Sequence, residues 1–179
     1  GKLYVGSGIK GGGFAPGEEA SGQPELIRIN PDDSWDLICG VPRNTPDGFK
    51  KPLSGKGPGF GNIFAGYFWR MEEHDGWLYL SVMDNSTFLP YMPLEDLPEQ
   101  INIERIVRRQ GGFDLWKTQD GVQWYRVTIR GFGNPLNLGV RTLQSTPFGL
   151  FVGTANPFTA GDAEGHPGGA EVFLGASGQ

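Results

Sequence analysis

The chain has 179 residues, 37% hydrophobic and 20% charged, with 30 glycines, 14 prolines and a net charge of -5. That acidic balance, with few Lys/Arg clusters, argues against nucleic-acid binding through a basic face, and no apolar run is long enough to cross a bilayer. The single cysteine, Cys39, excludes an internal disulfide and any zinc site built on cysteines.

In chain order, the first predicted strand is Leu3 to Gly8, followed by Glu25 to Asn30, a turn at Pro31-Asp32-Asp33-Ser34, and Trp35 to Cys39. Cys39 therefore reads as a buried structural thiol. Gly40 to Ile63 reads as a long connection. A second group of strands runs from about Ala65 to Glu72, across the turn His74-Asp75-Gly76 to Trp77 to Met83, then Phe113 to Thr118 and Trp124 to Ile129. Asp-Gly at the first of these turns is a strong hairpin signal. Pro93 to Arg109 carries the one predicted helix, with Leu94, Leu97 and Ile101 at helical spacing and Arg105, Arg108 and Arg109 near a C-terminus at Gly111-Gly112. The last group is about Leu138 to Gln144, Leu150 to Thr154 and Ala170 to Leu174.

These groups are copies of one unit. Gly59-Phe60-Gly61-Asn62 returns 72 positions later as Gly131-Phe132-Gly133-Asn134, and Leu78-Tyr79-Leu80 returns at the same offset as Leu150-Phe151-Val152. A further copy of the second marker is Leu3-Tyr4-Val5. Repeated four-stranded meanders are the blades of a β-propeller, which needs roughly four to eight of them to close. The fold expected is all-β: about two and a half antiparallel blades of an incomplete ring, with one short helical insertion. It is divided as a partial blade over 1–40, a full blade over 60–130 and a partial blade over 131–179. Because unpaired strand edges promote aggregation, the remaining blades are expected from a longer polypeptide or from copies of the chain. The absence of an initiator Met and of a signal peptide favours the longer polypeptide.

The segment Leu115 to Trp124 resembles the Asp-box, or BNR repeat, of sialidase-like β-propellers: Thr118, Asp120, Gly121 and Trp124 stand for its hydroxyl residue, Asp, Gly and aromatic. Gly121 follows Asp120 directly, one position earlier than in the family pattern, so the turn is shorter. Asn30 to Trp35 looks like a further decayed copy. The resemblance implies a structural role for these four residues in a strand-turn-strand hairpin and says little about chemistry.

In a meander, alternate connections fall at opposite ends of the sheet. The short turns share one end; the long connections, Ile9 to Pro24, Gly40 to Ile63, Asp84 to Gly112, Gly131 to Asn137 and Ala155 to Gly169, share the other. Long loops commonly carry function, so binding is expected at the elaborated end. Asn62, Asn134, Asp84, Asn85 and Asn156 are the candidate ligand-binding residues, and Leu97, Ile101, Arg105 and Arg108 the candidate partner-docking ones. Repetition of Asn62 and Asn134 also fits structural use, an Asn side chain bonding loop backbone while the Phe anchors between blades. No nucleophile elbow, phosphate loop or His-Glu-x-x-His motif is present, and no cofactor or metal is expected; Asp162, Glu164 and His166 read as a solvated loop.

The leading expectation is a non-enzymatic recognition or scaffold protein with a protein or glycan ligand. The resemblance implies a rival, a glycan-processing hydrolase or lyase using Arg70, Arg141, Glu72 and Tyr67, although retaining hydrolysis needs two carboxyl groups about 5 Å apart. A lectin-like module with one site per blade is the third reading. A glycosylation-type triplet, Asn85-Ser86-Thr87, points only weakly to an extracytoplasmic location.

Overall fold

The computed structural model describes residues 1–9, 22, 24–93 and 102–176. Its strands form four antiparallel sheets. The first joins β1 (Leu3–Gly6), β2 (Leu26–Ile29) and β3 (Trp35–Cys39) in that order. A two-stranded hairpin, β4 (Arg43–Thr45) and β5 (Gly48–Lys50), follows. The central sheet is a four-stranded meander of β6 (Ala65–His74), β7 (Trp77–Asp84), β8 (Asp114–Thr118) and β9 (Tyr125–Thr128). The last sheet joins β10 (Gly139–Thr146), β11 (Gly149–Ala155) and β12 (Val172–Gly175).

Each strand predicted from alternation is present, with bounds moved by a few residues. The β4–β5 hairpin departs from the expected loop over 40–63. Its strands are short and mostly exposed, so they carry no buried alternation to read. It is held by its turn and by Trp35: Thr45 Oγ1 donates to the Gly48 carbonyl (2.8 Å), Trp35 Nε1 donates to Asp47 (2.8 Å), and Lys50 lies 4.7 Å from the centre of the Trp35 ring.

Within the described residues α1 spans Ile103–Gln110 and begins at Asn102, whose side chain accepts from the Arg105 N–H at 2.8 Å. An Asn at this position satisfies a backbone donor that the first helical turn leaves without a partner. Leu97 and Ile101, named as docking residues, lie outside the described residues. A 3₁₀ segment, Ser86–Tyr91, precedes this stretch and packs on α1.

Hydrophobic cores separate the three larger sheets. Between the first and central sheets lie Leu26, Ile38 and Cys39 on one side and Phe60, Ala65, Phe68, Leu80, Val82, Trp116 and Trp124 on the other. Between the central and last sheets lie Phe113 and Leu115 against Val140, Leu143, Leu150 and Val152. Successive side chains of a strand point to opposite faces, so Leu115 enters one core and Trp116 the other. Burial pushes the Cys39 thiol up to about 11, in keeping with an inert structural role.

The 72-residue repeat is a repeat of backbone geometry. Gly59, Phe60 and Gly61 have φ of 58°, 57° and 85°; Gly131, Phe132 and Gly133 have 56°, 59° and 92°. Three consecutive left-handed residues are strained for any side chain except glycine, which accounts for glycine on both sides of each Phe. Each Phe then enters a core: Phe60 stacks on Trp116 with centroids 4.9 Å apart, and Phe132 packs on Phe173 at 4.7 Å.

The Thr118–Trp124 turn is a stapled structure. One oxygen of Asp120 accepts from the Val122 and Gln123 N–H groups, both at 2.8 Å, the Gly121 N–H donates to Thr118 Oγ1 at 2.9 Å, and Trp124 Nε1 donates to the Gly121 carbonyl at 3.2 Å. Gly121 has φ of 75°. Asp120→Ala is expected to cost about 1–2 kcal/mol of unfolding free energy, measured by urea titration; Asp120→Asn, which keeps an acceptor, is expected to recover more than half.

Candidate functional site

The antiparallel registers place the tight turns at one end of the sheets and the long connections at the other. The long connections meet. Tyr91 stacks on Phe158 at 5.4 Å, and Thr87 Oγ1 donates to the Pro135 carbonyl at 2.8 Å. Residues from 58–64, 84–93, 102–113, 131–138 and 155–171 thereby build one continuous surface.

Two polar clusters lie beneath it. In the first, the amide nitrogen of Asn62 donates to Asp84 (2.8 Å) and reaches Asp114 (3.4 Å), while its oxygen accepts from the Phe64 N–H (2.9 Å). Asp84, fully buried, also accepts from the Ser86 N–H (2.8 Å) and from the Ser86 hydroxyl. Burial raises both acids, Asp84 to about 7 and Asp114 to about 6; Arg126 and the Asn62 amide oppose the shift at Asp114. Above the pair is a small hollow of about 130 Å³ lined by Asn62, Asp114, Arg126, Arg109 and Gln110 among others.

The second cluster repeats the first with different charges. Asn134 donates to Glu171 (2.7 Å) and its oxygen accepts from the Leu136 N–H (3.0 Å), the counterparts of the Asn62 bonds. Asn156 stands where the first copy has Asp84; its oxygen accepts from the Phe158 N–H at 3.2 Å as Asp84 does from Ser86. Asn137 adds a second donor to Glu171 at 2.7 Å. Asn85 is buried against Gly66. Of the predicted ligand-binding residues, Asn62 and Asp84 thus share the first cluster and Asn134 and Asn156 the second, and the polar atoms of these four hold the loops to the sheets. Glu171 and Asp114 escaped the sequence reading; both stand at the start of the third strand of their unit, as does Glu25, and that equivalence was the available signal.

Arg105 and Arg108 lie exposed on α1. Ile103 and Val107 of the same helix face Pro90, Pro135 and Ala163 across a groove of about 470 Å³, rimmed by Glu104, Asp162, Glu164 and Arg108. The Asp162 loop is an ordered turn: Asp162 accepts from the Glu164 and His166 N–H groups at 3.0 and 2.9 Å, and its second oxygen meets His166 Nδ1 at 2.6 Å.

Tyr67, Arg70 and Glu72 all lie on β6, and Arg141 on the neighbouring β10. Arg70 Nε donates to the Arg141 carbonyl at 2.9 Å, Glu72 accepts from the Ser145 N–H at 2.9 Å, and the Arg141 guanidinium lies 5.5 Å from the Trp69 ring centre. These contacts join the central and last sheets. His74, at the tight-turn end, adds another through Nδ1 to the Ser145 hydroxyl at 2.9 Å. Among the described residues no group of three or more His, Cys, Asp or Glu is placed to hold a metal ion, and no helix is long and apolar enough to cross a membrane.

Neither the protein-family models nor the curated proteins include a match to this chain.

Proposed function

We propose that the chain is part of a β-propeller that recognises or scaffolds another polypeptide, with the long-loop end as its contact surface. What supports the ring reading is the succession of three antiparallel sheets with a core between each adjacent pair and first strands, β6 and β10, side by side. The observation that carries the functional reading is the groove between α1 and the Asp162 turn. At about 470 Å³ it falls in the range of binding cavities, its floor is apolar, and three carboxylates against one guanidinium line its rim. Those features favour an apolar segment with basic flanks.

The glycan readings have less support. The amides of Asn62 and Asn134 already bond to internal carboxylates, and the hollow above Asp114 is well below the size of a typical ligand cavity. In the hydrolase reading, Arg70 and Glu72 would act while tied through Nε and Oε1 to backbone groups of the last sheet.

A peptide-display selection against the chain tests the proposal. Peptides with apolar anchors and basic flanks are expected, and Val107→Asp should weaken them at least about tenfold, roughly 1.4 kcal/mol, leaving the circular dichroism spectrum unchanged. Saccharide binding abolished by Asn62→Ala, or turnover of a glycan abolished by Arg70→Ala, would replace this reading with the lectin or hydrolase one.

A further inference from the structure

The last sheet has three strands where the central one has four, and the outer edge of β12 is unpaired among the described residues. Val172 and Leu174 on it are 71% and 50% exposed. Beside β12 opens a cleft of about 490 Å³, walled by Tyr79, Leu115 and Val127 of the central sheet and by Phe132, Phe173 and Val152.

The repeat says what belongs there. Phe132 and Phe173 are the counterparts of Phe60 and Trp116, since Glu171 and Asp114 begin the equivalent strands. In the core between the first and central sheets that aromatic pair has a third member, Trp124, which leads into β9 and lies 5.1 Å from Phe60. Two residues on, Arg126 sits 5.0 Å from the Trp116 ring centre and near Asp114. Phe132 also meets Phe113 edge-on at 5.5 Å, but among the described residues no fourth strand brings an aromatic or a cation to Phe173 and Glu171.

We infer that β12 takes a fourth antiparallel strand from polypeptide outside residues 1–179, a segment with the pattern aromatic-x-basic. Its aromatic side chain enters the cleft against Phe132 and Phe173, and its basic side chain lies over Phe173 toward Glu171. Main-chain hydrogen bonds to the β12 edge supply affinity and the two side chains supply specificity. The inference rests on the repeat of the sheets and is independent of the groove at α1.

The probe is a synthetic peptide with the chain's own fourth-strand sequence, Gln119 to Ile129, titrated by fluorescence anisotropy against the full chain. Saturable binding is expected. Replacing the peptide's Trp124 by Ala should weaken it at least about tenfold, and replacing its Arg126 by Glu should weaken it severalfold. Hydrogen exchange should show new protection at 172–175. Three results would overturn the inference: no binding at millimolar peptide, protection at β8 in place of β12, or a dimer of the chain, seen by sedimentation without peptide, that protects the same edge.

Discussion

Raising the pH from 4 to 7 is expected to lower the unfolding free energy of this protein by about 3 kcal/mol through Asp84 alone. The carboxyl is fully buried, and its desolvation raises it from 3.8 to about 7 against the opposing hydrogen bonds from Ser86 and Asn62. A raised value in the folded state means that the folded protein holds the proton more tightly than the unfolded chain. The resulting stability is complete below about pH 3.8 and is lost as pH rises through 7, at about 1.4 kcal/mol per pH unit. Asp114, pushed up to about 6 by its own burial, acts in the same direction.

Other carboxyls act oppositely. Asp120 is held below its ordinary value chiefly by the backbone bonds from Val122 and Gln123, so its contribution is present above about pH 3.8 and is lost on further acidification. Together these shifts place maximal stability on the acid side of neutrality. Urea denaturation at intervals from pH 3 to 8 checks this. Asp84→Asn should flatten the slope between pH 4 and 7; a slope unchanged in that variant, or stability that rises toward pH 8 in the wild type, would contradict the assignment.

The second large effect is expected at Trp124. Its ring is 6% exposed, lies against Phe60, and donates from Nε1 to the Gly121 carbonyl. Trp124→Ala should cost about 3–5 kcal/mol, the transfer term together with the cavity left behind. Trp124→Phe keeps an aromatic ring against Phe60 and loses the indole hydrogen bond and part of the bulk, so it should cost about half as much or less. Tyr125 is the control: 54% exposed and touching Trp77 edge-on, its replacement by Ala should cost under about 1 kcal/mol. Circular dichroism during urea unfolding separates the three. Equal losses at 124 and 125 would mean that the core between the first and central sheets does not depend on this ring.

The Asn62 and Asn134 turns show how far local sequence reaches. Glycine on either side of Phe60 and Phe132 encodes three left-handed residues in a row, and the side-chain oxygen of the Asn closes the turn onto the N–H two positions on. Both are short-range relations and could be read from one copy and checked in the other. The β4–β5 hairpin was not legible because its strands are short and mostly exposed and its ties run to Trp35, outside both of them. Arg70 illustrates the limit for site residues: its position on a strand is a matter of pattern, but its bond to the Arg141 carbonyl joins residues 71 apart.

Alternation of apolar residues, the Asp-Gly and Gly-Phe-Gly-Asn turns and the 72-residue offset by themselves determined the antiparallel meander and its repetition, since strand period and turn geometry are properties of a few adjacent residues. Tertiary structure alone decided the fate of the polar groups. Asp84 and Asp114 became a buried pair sharing one amide, Arg70 and Glu72 became ties between sheets, and α1 acquired a groove from Pro135 and Ala163. Burial and partner choice depend on which distant segments the folded chain brings within a few ångströms, and the local pattern of the sequence does not carry that information.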